Sequence, residues 1–181
     1  QLRKSLMTIL ERDLTKVKNK TILEIGCGDW DFAKRILEKN SCDWYGFELV
    51  NLNDKNLTLV KGSVKNIPYH DNSFDMILCN QTMEHWFEYA VSLKRALNEC
   101  YRVLKPGGLL MINVPIHLHG DPRFLKGELR KIKKVFKNYL WEIVLFEKVF
   151  PKQKNQGWKK ISNNGVFSKF GYPDILIPDH K

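Results

Sequence analysis

Apolar residues follow two spacings along this chain, one typical of helices and one typical of buried strands. Near the N-terminus they recur at helical intervals, which predicts an amphipathic helix over residues 2–17 that packs against a sheet. Short apolar runs then predict a series of strands, with helical patterns between several of them. The predicted strands cover residues 20–25, 43–48, 57–60, 74–80 and 109–114, and the predicted helices cover residues 31–40 and 88–104.

The predicted strand at residues 74–80 is nearly all apolar, as expected for a strand buried on both faces of a parallel sheet. Strands that alternate with helices in this way predict an α/β fold with a doubly wound, mostly parallel sheet flanked by helices. In such a sheet the ligand binds at the carboxyl ends of the strands. Site residues are therefore expected where each strand ends.

The apolar pattern weakens after Pro115. We predict a basic helix over residues 124–139, a long strand over 140–150, a polar loop or disordered excursion over 151–164, and a last short strand at 175–177. The sequence shows no internal repeat and no firm domain boundary, so we expect a single domain over residues 1–181. Since the chain begins at Gln1, we allow for a domain that is truncated at the N-terminus or lacks a full substrate cap.

The first strand breaks into glycines at Gly26 and Gly28, and helical periodicity follows at once. Glycine lacks a Cβ, so it can adopt positive φ and let a ligand lie against the backbone. The helix that starts near Asp31 directs free backbone N–H groups towards the same place. A dinucleotide site would have a third glycine at position 31, and Asp29 and Asp31 would repel a pyrophosphate. A ligand without phosphate groups is therefore favoured.

Three segments resemble motifs of the class I S-adenosylmethionine (SAM) dependent methyltransferases. Glu24-Ile25-Gly26-Cys27-Gly28 resembles motif I, E/D-x-G-x-G. Residues 67–75, IPYHDNSFD, resemble the family's L-P-F-x-D-N-S-F-D segment, and residues 101–108, YRVLKPGG, resemble its R-V-L-K-P-G-G turn. The motifs occur in the family's order, although Trp30 stands where the family often has a third glycine. The similarity is to the methyltransferase type 11-like, small-molecule branch, and it implies a Rossmann-like fold with SAM as the cofactor.

The resemblance also implies which residues hold SAM. Glu48, at the end of the second strand, corresponds to the acid that binds the ribose diol, and Leu49 would lie on the adenine face. Gly62-Ser63-Val64 stands where the family has a G-D-A triplet, and because Ser63 is uncharged, adenine recognition would rest more on the Val64 backbone. A backbone carbonyl after the fourth strand would hold the ammonium group. The expected cofactor-binding residues are Glu24, Gly26, Cys27, Gly28, Glu48, Leu49, Ser63, Val64, Asn80 and Gln81.

Histidines near the strand ends are the candidates for acid–base chemistry. His85 follows the fourth strand, where the loop faces the substrate, and imidazole titrates near neutral pH; alternatively it only orients the loop. His117 and His119 follow the fifth strand at the same edge of the sheet. With Asp121 they could bind a divalent metal or hydrogen-bond a polar substrate. We favour the substrate role, so His85, His117 and His119 are the expected catalytic residues and no metal site is predicted.

The composition limits the classes of binding partner and the cellular compartment that we expect. Thirty Lys and Arg against 20 Asp and Glu give a formal charge of +10, which attracts anions over long distances. Much of the basic charge lies within residues 126–137 and 152–160, where solvated lysines are the simpler explanation. No apolar run approaches the roughly 20 residues of a membrane span, and no C-x-x-C pair indicates zinc or redox chemistry. We expect a cytoplasmic protein with reduced cysteines.

These observations together predict methyl transfer from SAM to an oxygen or nitrogen atom of a small polar acceptor. The positive charge favours a sugar or a phosphorylated intermediate over a free amine. No Asn/Asp-Pro-Pro-Tyr follows the fourth strand and no proline follows Cys79, which argues against nucleic-acid bases as acceptors. Two alternatives stay open: an RNA-directed methyltransferase, and a catalytically silent SAM-binding scaffold whose basic segments dock a nucleic acid or a partner.

Overall fold

The computed structural model describes residues 2–49, 59–113, 129–137, 148–151 and 158–161. The described residues fall into two compact units, and the first of them runs from residue 7 to residue 114. The second unit contains the described residues outside that range. The expectation of a single domain over residues 1–181 stays a prediction.

Helices and strands follow one another along the chain in an order close to the one that the apolar pattern predicts. A 3₁₀ helix, Met83–Tyr89, follows the fourth strand. The other elements up to Asn113 are α1 Leu2–Leu14, β1 Thr21–Ile25, α2 Phe32–Lys39, β2 Asp43–Glu48, β3 Leu59–Lys61, β4 Phe74–Asn80, α3 Leu93–Val103 and β5 Leu104–Asn113. Beyond Asn113 the structure describes α4 Leu129–Lys137, β6 Lys148–Pro151 and β7 Trp158–Ile161.

Five parallel strands form one sheet in the order β3-β2-β1-β4-β5. The order reverses between β1 and β4, and open α/β sheets bind ligands at such a switch point. The strand ends are aligned there, because Ile25 pairs with Phe47 of β2 on one side and with Cys79 of β4 on the other. The predicted doubly wound, mostly parallel sheet is confirmed, and the ends of β1, β2 and β4 share its ligand-binding edge.

The two central strands form the core of the first unit. Ile22 and Leu23 in β1 and Ile77 and Leu78 in β4 are fully buried, as expected for strands covered on both faces. Burial of each such side chain contributes roughly 1.5–3 kcal/mol to folding. The helices add their own apolar faces, with buried residues Leu10, Leu14, Ala33, Leu37, Ala96 and Leu97.

All four cysteines of the chain are buried and free. Cys27 lies in the turn after β1, Cys42 immediately before β2, Cys79 in β4 and Cys100 in α3. Burial raises the pKa of the Cys27 thiol to about 12 and holds the pKa of Cys79 well above its usual value. Cys27 and Cys79 are therefore held in the protonated form, and all four thiols are shielded from solvent in the folded chain.

The prediction of a helix over residues 88–104 places the start of that helix too early, because α3 begins at Leu93. Met83–Tyr89 forms the 3₁₀ helix instead, and this helix ends at Ala90 in the left-handed region with a φ of 55°. A separate helix, α3, then begins, and the Ser92 side chain caps it by accepting the Arg95 N–H at 3.2 Å. The apolar spacing predicts α3 correctly but does not indicate the break, because the break depends on the backbone conformation at Ala90.

The fifth strand begins at Leu104, earlier than the predicted start at residue 109. Leu104 pairs with Phe74, and the register then shifts between Phe74 and Met76, so Gly107 lies in an irregular stretch of the strand. Gly107 has a φ of 76°, which glycine adopts without strain. The helix ends at Val103, close to the predicted end at residue 104, and the proline and glycines that follow lie within the strand that pairs with β4.

Only part of the predicted structure beyond residue 114 falls on described residues. The basic helix predicted over 124–139 is present at Leu129–Lys137. The polar loop predicted over 151–164 is wrong in part, because Trp158–Ile161 pairs antiparallel with Lys148–Pro151. Strands pair through backbone groups, so a polar sequence does not prevent pairing. The strand predictions for residues 140–147 and 175–177 lie outside the described residues.

Candidate cofactor and active site

A cleft opens where β1, β2 and β4 end. Its empty space amounts to about 430 Å3, a volume that includes the part open to solvent. The ends of β1 and β2, the turn after β3, and the loop and 3₁₀ helix after β4 all contribute to the lining. The predicted site residues in this lining are Gly26, Glu48, Leu49, Ser63, Val64 and His85.

Gly26 is required by its backbone conformation and by close packing. Its φ of 70° lies in the left-handed region, and a Cβ on this residue would overlap the Thr82 side chain. Its N–H donates to the Phe47 carbonyl at 2.8 Å, which ties the turn to β2. Any other residue would need both a strained φ and the space that Thr82 occupies.

Glu48 is anchored by two backbone N–H groups. Gly28 donates to Oε2 at 2.9 Å, and Leu49 donates to Oε1 at 2.7 Å. A carboxylate has about four lone-pair positions, so each oxygen can still accept a hydrogen bond from a bound hydroxyl. A Cβ on Gly28 would meet no heavy atom within 4 Å, which leaves open space beside this turn. The two oxygens therefore form an oriented pair of acceptors that suits a diol.

The turn after β3 packs closely on β2. Gly62 donates its N–H to the Glu48 carbonyl at 2.8 Å, and a Cβ on Gly62 would stand 2.6 Å from the Phe47 ring. Val64 is 6% exposed, and Ser63 beside it is partly exposed. This packing places Ser63 and Val64 in the cleft wall together with Glu48.

Three residues of motif I lie outside the cleft lining: Glu24, Cys27 and Gly28. Glu24 is 1% exposed and accepts a hydrogen bond from Trp44 Nε1 at 2.8 Å. Burial raises the pKa of Glu24 to about 7, although the Trp44 hydrogen bond acts in the opposite direction. The buried Cys27 thiol, whose pKa burial raises to about 12, is not in the lining either. Glu24 thus connects β1 to β2 from behind the cleft.

The loop after β4 is joined to β5 through Asn113. Nδ2 of Asn113 donates to Oδ1 of Asn80 at 2.7 Å, and the Gln81 N–H donates to the Asn113 carbonyl at 3.0 Å. Gln81 has a positive φ of 50°. Neither Asn80 nor Gln81 lines the cleft, so a contact between their carbonyls and a cofactor stays a prediction.

His85 lies in the cleft wall between two carboxylates. Its Nδ1 is 3.0 Å from Oε2 of Glu88, and its Nε2 is 3.9 Å from Oε1 of Glu84. When Nδ1 carries the proton it donates to Glu88, and Nε2 then has the lone pair. The His85 side chain is 33% exposed, so the ring can meet a molecule in the cleft.

Glu84 is a buried carboxyl group beside this histidine. It is 0% exposed, and neither of its oxygens has a hydrogen-bond partner among the described residues. Burial raises the pKa of Glu84 to about 7. A buried charge without a partner is costly, so this carboxyl group holds its proton more firmly than an exposed glutamate does.

The sequence analysis missed several cleft residues, above all Thr82, Trp86 and Tyr89. Trp86 is 5% exposed and Tyr89 is 54% exposed. Residues three apart lie above one another on a 3₁₀ helix, so this aromatic spacing was the available signal. No comparable signal exists for Thr82, because its contact with Gly26 depends on the pairing of β1 with β4.

His117 and His119 lie outside the described residues, so their role stays a prediction. His85 is the predicted catalytic histidine that lies in the cleft. In the part of the chain that the structure describes, no group of three or more His, Cys, Asp or Glu side chains could hold a metal ion. Among the same residues, no helix is both long enough and apolar enough to cross a membrane.

Comparison with known proteins identifies the family of the domain that holds this cleft. A family model described as a methyltransferase domain matches residues 23–112. Residues 23–112 of this chain form a class I SAM-dependent methyltransferase domain. The match contains β2, β3, β4, most of β1 and all of the residues that line the cleft. SAM is the methyl donor of this methyltransferase family.

Three methyltransferases illustrate the similarity. A sterol 24-C-methyltransferase of Schizosaccharomyces pombe is 32% identical over 101 residues, which cover 49% of this chain and 26% of that protein. A demethylmenaquinone methyltransferase of Staphylococcus epidermidis is 27% identical over 158 residues, which cover 81% of this chain and 57% of that protein. A solved structure from Galdieria sulphuraria, assigned as a sarcosine dimethylglycine methyltransferase, has a TM-score of 0.52 and 25% identity. The similarity covers 73% of this chain and 54% of that one. The chain spans less than two thirds of the length of each.

The cleft suits SAM in the groups that it offers. Glu48 presents two anchored acceptors, which fit the hydroxyls of a ribose diol. Leu49 and Val64 add apolar surface for a ring, and the open space beside Gly28 lets a ligand approach the backbone. Acceptors for the diol and apolar surface for the adenine thus occur in one cleft.

Proposed function

We propose that this chain transfers the methyl group of SAM to an oxygen or nitrogen atom of a small polar acceptor. The cleft carries the proposal, because an anchored carboxylate, Glu48, and a histidine, His85, both line it. Family membership supports SAM as the donor. A sugar or a phosphorylated intermediate is the acceptor class that we favour, because the formal charge of +10 attracts anions.

The proposed cofactor contacts follow the cleft wall. Glu48 would accept the ribose hydroxyls, Leu49 would cover the adenine face, and Ser63 and Val64 would meet the adenine edge. The Gly26–Gly28 turn would let the cofactor approach the backbone. Glu24 would act indirectly, because its carboxyl group bonds to Trp44 behind the cleft.

SAM supplies a methyl group on a positively charged sulfur, so the leaving thioether is neutral. The chain's own task is to align the acceptor, exclude water and remove a proton where the acceptor is a hydroxyl. His85 would take this proton on Nε2, because Glu88 holds Nδ1 at 3.0 Å. Glu88 would then stabilise the imidazolium that forms. His117 and His119 are the other proposed catalytic residues.

Calorimetry with SAM and with its demethylated product, S-adenosylhomocysteine, tests the cofactor site. Glu48→Ala should weaken binding by about tenfold or more, because both proposed hydroxyl acceptors are lost. Glu38→Ala, which removes an exposed carboxylate of α2, is the matched control and should leave binding unchanged. Absence of binding by the folded chain, or equal affinity in Glu48→Ala, would contradict the proposal.

A methyl-transfer screen against a metabolite panel, with and without a chelator, tests the reaction. For a hydroxyl acceptor, His85→Ala should lower kcat by about a hundredfold or more, the usual contribution of a general base, with little change in SAM affinity. His70→Ala, at an exposed histidine outside the cleft, is the control. Turnover that survives replacement of His85, His117 and His119, singly and together, would remove the catalytic assignment and leave the cofactor site.

A second acceptor class is favoured by the aromatic side of the cleft. Trp86 and Val91 offer apolar surface there, and Tyr89 is 54% exposed. Two of the relatives are named for a sterol and for demethylmenaquinone, which are largely apolar molecules. The panel should therefore include apolar ring compounds. Turnover confined to those compounds would replace the polar-acceptor proposal.

A further inference from the structure

The connection from β3 to β4 has few hydrogen bonds of its own. It contains no helix or strand between Lys61 and Phe74. Within it, the Asn66 N–H donates to the Ser63 carbonyl at 2.9 Å, and the Tyr69 N–H donates to the Ile67 carbonyl at 2.8 Å. Other buried backbone groups of this connection need partners from elsewhere in the chain.

One face of α3 provides such partners. Arg95, Glu99 and Arg102 are spaced by four and three residues, which places them on the same side of the helix. Nε of Arg95 donates to the Lys65 carbonyl at 2.7 Å, and Oε2 of Glu99 accepts the Ile67 N–H at 2.9 Å. We call Arg95, Glu99 and Arg102 the α3 ladder.

Arg102 makes the largest share of these bonds. Its Nη2 donates to the Ile67 carbonyl and its Nη1 donates to the Tyr69 carbonyl, both at 2.8 Å. The same guanidinium holds Glu99 through two bonds, at 2.8 and 3.1 Å, and reaches Asp71 at 2.8 Å. A forked arginine–carboxylate pair fixes direction as well as adding energy. The ladder is therefore a rigid support for the connection.

The α3 ladder bonds to the chain immediately after the turn that lines the cleft, beginning at Lys65. Val64 is 6% exposed in the cleft wall, and Ile67, three residues further on, is 1% exposed and bonded to the ladder through both its N–H and its carbonyl. Ser63 is uncharged, so recognition of an adenine edge at this turn would rest more on the Val64 backbone. A backbone group cannot be redirected by a change of rotamer. Its direction depends on whatever holds the turn.

We propose that the α3 ladder positions the Gly62–Val64 turn and thereby sets both the affinity for the adenosine part of the cofactor and the preference for adenine. The ladder residues are positioning residues, because they act through the turn. The inference rests on the proposed function, since it assigns the adenine to this turn.

Calorimetry of S-adenosylhomocysteine and of its inosine analogue, with unfolding midpoints measured in parallel, tests the proposal. Arg102→Ala should weaken S-adenosylhomocysteine binding by about tenfold or more and reduce its preference over the inosine analogue by about threefold or more. Arg102→Lys should recover only part of this, because lysine cannot make the forked contacts. Glu99→Gln and then Arg95→Ala should have smaller effects in the same direction.

Lys94→Ala is the matched control, because Lys94 is an exposed residue of the same helix that is not part of the ladder. Folded ladder variants with the wild-type affinity and preference would overturn the inference, even where their unfolding midpoints fall. Failure of the folded wild-type chain to bind S-adenosylhomocysteine would instead remove the proposed function. If Arg102→Ala does not fold, the milder variants Glu99→Gln and Arg95→Ala decide the question by the same criteria.

Discussion

The two sides of the cleft differ in how well their polar groups are satisfied. On the side built by β1, β2 and β3, Glu48 accepts two backbone N–H groups, and the turns at Gly26 and Gly62 donate to β2. On the side built after β4, Glu84 is buried without a hydrogen-bond partner among the described residues. Ala90 on that side also has positive φ.

This difference separates two tasks. The first side is pre-organised, so a ligand meets groups that already point in fixed directions. The second side keeps a buried carboxyl group and exposed aromatic surface, and local conflicts of this kind are expected where function overrides stability. We infer that the first side serves a constant part of the reaction, the cofactor, and the second side serves the acceptor.

Gly26→Ala should have the largest effect, because it forces the two sides against each other. The new Cβ would overlap Thr82, and the φ of 70° strains any residue other than glycine. We expect a loss of about 2–5 kcal/mol in the free energy of unfolding, measured by urea denaturation. Gly107→Ala is the control, because Gly107 has a similar φ of 76° but a Cβ there would meet no heavy atom within 4 Å. Equal losses in the two variants would show that the Thr82 contact is unimportant.

Glu84→Gln should change how stability depends on pH. The pKa of Glu84 is about 7 in the folded chain, against 4.5 for an ordinary glutamate. Between these values the folded state keeps a proton that the unfolded state has lost, so stability falls as pH rises from about 4.5 to about 7. The loss is about 3 kcal/mol on the scale of 1.4 kcal/mol per pKa unit.

Unfolding of Glu84→Gln at several pH values between about 5 and 8 measures this effect. The variant should show a flatter pH dependence than the wild-type chain. Glu24→Gln should flatten the curve in the same sense, because burial raises the pKa of Glu24 to about 7 as well. Glu38→Gln, at an exposed position, should keep the wild-type slope. An unchanged slope in Glu84→Gln would show that its carboxyl group is not protonated in the folded chain.

Tyr89→Ala should have the smallest effect on stability. Tyr89 is 54% exposed and lines the cleft, whereas Phe87, 45% exposed on the same 3₁₀ helix, does not. We expect both alanine variants to change the free energy of unfolding by less than about 1 kcal/mol and to bind S-adenosylhomocysteine normally. Tyr89→Ala alone should raise the KM for the acceptor. The same KM change in Phe87→Ala would contradict the assignment of this side to the acceptor.

The fold was predictable because apolar periodicity follows directly from burial. The run at residues 74–80 predicts β4, and the glycines after residue 25 predict the first turn with its positive φ at Gly26 and Gly28. Element ends were less predictable. The break at Ala90 and the early start of β5 at Leu104 depend on backbone conformation and register, which side-chain spacing does not report.

The candidate site was predictable where one strand end supplies one side chain, as at Glu48. Pairs that meet only through the sheet were not predictable. Glu24 bonds to Trp44 across two strands, and the approach of Thr82 to Gly26 requires β4 to lie beside β1. The bonds from α3 to the β3–β4 connection likewise join residues about thirty positions apart in the chain.

The reactivity of the four buried cysteines reports how often the surrounding structure unfolds locally. A thiol reagent reacts with the thiolate, and burial with a raised pKa suppresses that form at Cys27 and Cys79. Labelling therefore requires a local or global unfolding event, and its rate measures how often each region opens. Because the cysteines lie in the first turn, before β2, in β4 and in α3, mass spectrometry of the labelled peptides would map these openings without any engineered probe.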